Sequence, residues 1–280
     1  MDRSQKTRFD KVRKLALIGD YKESIPGFRA LKAEGIVAAA ASLAEIFGFL
    51  FDWEQCLENA GNFIADPDST YAGNVFDDMV RLIGRAGNET SDWNKVEAFC
   101  RNAVQKIAAG DHRPYRKTRY VKILKNLEAF AEKRGEPADL ELIGIFETAS
   151  DRPKNGDRRD AYLQAIEKKD SGKANKTLEE TVRRKFALAI AHEQQEDATE
   201  VFLENESLSI WDFQMLLPAI KHLVKKQNEQ KACHVIKSNI PNWIPVDLVQ
   251  IAPVELLVDR DLKTIMSKER CLEVLQIDRA

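Results

Sequence analysis

The stretch Ile36-Val-Ala-Ala-Ala-Ala-Ser-Leu-Ala-Glu-Ile-Phe-Gly-Phe-Leu-Phe51 decides the fold class, because only Ser42, Glu45 and Gly48 interrupt its apolar run. A helix of that composition has to be covered on most of its sides. With a carboxylate inside and sixteen residues in all, it falls short of the roughly twenty apolar residues that cross a bilayer, so it reads as a core helix. Asp52 then caps a second helix, with Gln55 placed for a capping box. Trp53, Cys56, Leu57, Ala60, Phe63 and Ile64 follow at the three-and-four spacing of one apolar side. Two helices joined by a tight corner are the unit of a helical array.

Working outward, the corner recurs. Gly19-Asp20-Tyr21, Phe51-Asp52-Trp53 and Ser91-Asp92-Trp93 each set an aspartate and an aromatic at the head of a helix, 32 and 40 residues apart. Equal offsets after each aspartate carry apolar or small residues: Ser24, Phe28 and Leu31; Cys56, Ala60 and Phe63; Val96, Cys100 and Ala103. The preceding helices offer Ala40, Leu43 and Ala44, then Val80, Ile83 and Gly84, as the surface for close approach. The first helix is expected over about 7–18, and Pro26 and Gly27 should kink or delay the second. Over 8–106, and more weakly over 182–240, this pattern resembles the tetratricopeptide repeat, a helix pair of about 34 residues with small residues at its crossing. The chain departs from that family in having no Trp in the first helix of a unit, in the 40-residue spacing and in Pro26. What the resemblance implies is an all-α chain of antiparallel helix pairs stacked as an α-solenoid.

Composition agrees with an all-helical chain. Val, Ile and Thr never alternate as half-buried strands require, and 280 residues suffice for one domain, two, or a single elongated array. The net charge of −2 speaks against whole-surface binding to nucleic acid or anionic lipid. Cys56, Cys100, Cys233 and Cys271 are widely separated in apolar helical settings and read as buried thiols. With no apolar signal core in the first residues, a cytoplasmic location is expected.

Residues 1–149 read as an N-terminal helical lobe, 150–160 as a loop, and 161–280 as a C-terminal lobe, continuous with the first or separate from it. In the second lobe helices are expected over 182–192, 211–224, 230–240, 246–257 and 262–275, the last two as a terminal pair. Catalytic patterns are missing. His192-Glu-Gln-Gln-Glu196 lacks the second histidine of a zinc-protease helix, and Ser171-Gly172-Lys173 lacks the rest of a phosphate-binding loop. No cofactor or metal is expected, and the chain reads as a non-enzyme.

Charge segregation is more informative. Between Lys32 and Arg81 there is no Lys or Arg but nine carboxylates, whereas residues 112–185 carry a net +6. The acidic segment suggests a docking face made of Glu54, Glu58, Asp66 and Asp68, suited to a basic protein. An antagonist or immunity protein that neutralises a basic toxin is its concrete form. The plain alternative is that helix starts favour Asp and Glu. Arg113, Arg116, Lys117, Arg119, Lys122 and Lys125, interleaved with Tyr115 and Tyr120, suggest the other reading, a nucleic-acid-associated repeat protein. An ordinary solvated helix face is the plain alternative there.

Overall fold

A computed structural model describes residues 1–65, 73–108, 213–245 and 247–277. The chain divides into two compact units, Met1–Ser150 with Pro245–Ala280, and Asp151–Ile244. Numbering only the described helices, the first unit holds α1 (Arg3–Leu17), α2 (Tyr21–Ala33), α3 (Val37–Phe49), α4 (Trp53–Ile64), α5 (Gly73–Thr90) and α6 (Trp93–Ala108), and later α9 (Glu255–Val258) and α10 (Lys268–Gln276). The second holds α7 (Phe213–Lys225) and α8 (Glu229–Asn239). Every regular element among the described residues is helical, as the composition requires.

The corners are one local device used repeatedly. At Gly19, Phe51, Ser91 and Gln227 the backbone turns left-handed, with φ of +84°, +59°, +58° and +58°. The next residue caps the following helix: Asp20 accepts from the Glu23 N–H, Asp52 from Gln55, Asp92 from Lys95 and Asn228 from Lys231, all at 3.1–3.2 Å. At three of these corners the outgoing helix is closed by paired bonds, as in Asp52 N to Phe47 O and Phe51 N to Gly48 O. These satisfy carbonyls that a helix end would otherwise leave unpaired. One short turn therefore ends one helix and starts the next. The fourth corner, Gln227-Asn228, lacks the aspartate and the aromatic that make the others conspicuous.

Consecutive helices pack together, and so do alternate ones: α3 lies against α2, α4, α5 and α10, while α4 lies against α3, α5 and α6. In α3 all residues from Ala38 to Phe49 are buried, which is the covering its composition demands. Apolar burial of this kind contributes about 25 cal/mol per Å² removed from water. Cys56, Cys100 and Cys271 are buried as expected but Cys233 is only half-buried, and burial pushes the thiols of Cys100 and Cys271 up to about 12 and that of Cys56 higher still.

Several sequence expectations need correction. The first helix starts at Arg3, not about residue 7, because Asp2 and Gln5 form a reciprocal capping box. Pro26 neither delays α2 nor ends it; it is exposed, so its ring meets solvent. At the α5–α6 crossing the glycine that matters is Gly87, where a Cβ would sit 2.6 Å from Val96, whereas Gly84 faces open space. Of the expected terminal pair, the second member forms as α10 from Lys268, but the first, over 246–257, is helical only from Glu255. Pro253 has no N–H to give, and the amides of Ile251 and Ala252 are taken by a side chain of α3. Residues 245–280 accordingly belong with the first unit and not with a C-terminal lobe. The expected helix over 182–192, the loop over 150–160, and the motifs at 171–173 and 192–196 lie outside the described residues.

Candidate functional site

The three interruptions of α3, Ser42, Glu45 and Gly48, stand three residues apart and therefore fall on one side of the helix. Across that side run residues 247–258, a strap of turns ending in α9. The Ser42 hydroxyl donates to the Val249 carbonyl at 2.7 Å. Glu45 Oε2 accepts from the amides of Ile251 at 2.5 Å and Ala252 at 3.2 Å. Gly48 leaves the room that Leu257 fills, since a Cβ there would stand 3.0 Å from its Cδ1.

Helix α5 forms the other wall. Asp78 Oδ2 accepts from Gln250 Nε2 at 3.1 Å, and Arg85 donates to the Leu257 carbonyl at 3.2 Å. The same guanidinium lies 5.2 Å above the Trp53 ring and pairs with Glu89 at 2.7 Å. Contacts therefore rise in step along strap and helices, from 249 to 257 against 42 to 48 and against 78 to 85. Further on, the Tyr21 hydroxyl donates to the Leu275 carbonyl at 2.5 Å.

Electrostatically the seat is unusual. Glu45 is fully buried and Asp78 is 4% exposed. Burial raises the Glu45 carboxyl well above its usual range, helped by Asp78 and Glu255 and opposed by the Ile251 and Ala252 amides. Burial, then Glu255, pushes Asp78 from its ordinary 3.8 up to about 7, against the Gln250 bond and Arg81. Glu45 Oε1 has no hydrogen-bond partner among the described residues. Chemically, the arrangement grips backbone: two carboxyls, a hydroxyl and a guanidinium hold peptide groups and one amide side chain. Among the described residues no group of three His, Cys, Asp or Glu side chains could hold a metal ion.

The residues singled out from sequence lie elsewhere. Glu54 is exposed on α4. Glu58, on the same helix, is engaged by Lys95 of α6 at 2.9 Å and by Asn62 at 3.1 Å, with Lys95 holding its carboxyl below the usual range. Asp66, Asp68 and the basic set Arg113, Arg116, Lys117, Arg119, Lys122 and Lys125 lie outside the described residues. Sequence reasoning missed the strap's seat, although its signal was present in the i, i+3, i+6 spacing of the only non-apolar residues in α3. No helix among the described residues is long and apolar enough to cross a membrane. Comparison with protein-family models, with curated proteins and with solved structures gives no match for this chain.

Proposed function

We propose that this chain is a non-enzymatic protein-binding module, a tetratricopeptide-like superhelix of stacked helix pairs acting in the cytoplasm. The observation that carries the reading is the packing of alternate helices, α3 on α5 and α4 on α6, on top of the consecutive contacts. Pairs that stack in this way hide their greasy sides on one another and leave charged outer sides for recognition. Three buried thiols in reduced form fit a reducing compartment.

The partner is a basic protein, and neutralising a toxin of that kind is the concrete role. The 48 positions between Lys32 and Arg81 hold no cation, and Glu54 presents its carboxylate to solvent. Because Lys95 already neutralises Glu58, Glu54 carries the steering on α4. The test is to cross-link and capture partners from native cells, then measure association with the purified partner. Glu54→Lys should lower the association rate several-fold at low salt and much less at physiological salt. An equal rate for both proteins at low salt removes this surface from the account.

A second reading, association with nucleic acid, draws on α1, whose exposed residues include Arg3, Lys6, Lys11 and Lys14, together with the basic set over 113–125. It requires affinity for single strands that falls steeply with added salt.

A further inference from the structure

The seat of the strap offers more ionisable groups than a purely structural joint needs. Around Glu45 and Asp78, Arg13 from α1 acts on Glu45 and also on Asp10 and Asp247, Cys56 from α4 faces Glu45, Glu255 of α9 acts on both carboxyls, and Arg81, from the same helix, acts on Asp78. Cys56 is neutral, its thiol being raised far above the physiological range. Among the described residues Arg13 is shared by Asp10, Glu45 and Asp247, and Arg81 faces Asp78, so two guanidiniums stand against five carboxyls once Glu255 is counted. Arg81 stands 4.0 Å from Asp78 Oδ1 with much of its side chain in solvent. Arg85 is committed to Glu89. Protonated, both carboxyls are uncharged, and the amides of Ile251 and Ala252 still donate to Glu45 Oε2. Ionised, they place two carboxylates in a nearly dry site beside Glu255, a costly arrangement that the shared Arg13 and the largely solvated Arg81 offset only in part.

We propose that residues 247–258 are a proton-controlled strap, seated on α3 and α5 while Glu45 and Asp78 carry their protons and lifting when those protons are lost. Lifting moves both carboxyls into water and uncovers the Ser42, Glu45 and Gly48 side of α3 together with the matching side of α5. The proposal stands independently of the partner reading above, because it concerns only how the first unit closes on itself.

The sign follows from linkage. A carboxyl whose value in the seated state lies above its value in water holds its proton more tightly when seated, so lifting releases it. The seated state has its full advantage below about pH 4, and Asp78 surrenders its share as the pH climbs to about 7. Glu45, raised in the same direction by burial, surrenders its share in the same sense.

The experiment is amide hydrogen exchange on the full chain from pH 5 to 8, corrected for intrinsic rates, comparing Ile251 and Ala252 with Leu57 and Ala60 of α4. With two protons released, strap protection should fall by up to about a hundredfold per pH unit where both carboxyls titrate. Asp78→Asn and Glu45→Gln should each leave at most about tenfold per unit, and in Glu45→Gln that slope should end near pH 7. A fall of at least tenfold in the natural chain that outpaces α4, and is smaller in either variant, supports the strap. A flat profile, a fall shared equally by α4, or variants that keep the natural slope each overturn it. If neither variant folds, the natural profile measured against α4 decides alone.

Discussion

The two kinds of surface that cover α3 are built on different principles. Toward α2 and α4, its sequence neighbours, contact follows from tight corners at Gly35 and Phe51 and from apolar side chains that need only be hydrophobic and of suitable size. Toward the strap, contact depends on single polar groups whose partners lie 206 and 207 residues away along the chain. The first surface is redundant and the second is not. A lost methyl group among many costs little, whereas a lost acceptor leaves buried donors with nothing to bond.

Glu45→Ala breaks this contrast most strongly. It strands the Ile251 and Ala252 amides, at about 1–3 kcal/mol each, and denaturant unfolding of the first unit should show a loss of about 2–5 kcal/mol. Glu45→Gln retains an acceptor and should cost less than half as much at neutral pH. Equal losses for the two variants would mean that the acceptor role is unimportant. On the redundant surface, Asp52→Ala removes a cap and should cost about 1 kcal/mol, with Asn228→Ala giving a similar change in the second unit. The smallest effect is a gain. Ser91 holds φ +58° without an aromatic contact of its own, so Ser91→Gly should raise the midpoint by the equivalent of about 0.5–1 kcal/mol. Phe51→Gly should not, because its ring packs on Trp53 at a centroid distance of 5.3 Å.

This contrast also explains what could be read in advance. The corners at 19–21, 51–53 and 91–93, the caps at Asp20, Asp52 and Asp92, and the buried thiols all rest on residues within one helical turn or on periodicity, both visible in a string of letters. Gln227-Asn228 escaped notice because asparagine caps as well as aspartate does but draws less attention beside a lysine-rich tail. The strap was legible only as an apolar segment and was assigned to helix. The competing acceptor for its amides, Glu45, lies two hundred residues upstream, and no local pattern announces such a partner. Glu58 illustrates the same limit on the surface: its carboxylate counted as a free charge until Lys95 of α6 was placed beside it.

A joint between Glu45 and Ile251 has a consequence for biosynthesis. Translation at about 5–20 residues per second separates the emergence of these two residues by 206 positions, which means about 10–40 seconds. Throughout that interval α3 stands outside the ribosome with one side bare and its carboxylate in water. The last cover of α3 is therefore a late event in synthesis, fixed by where the strap lies in the chain.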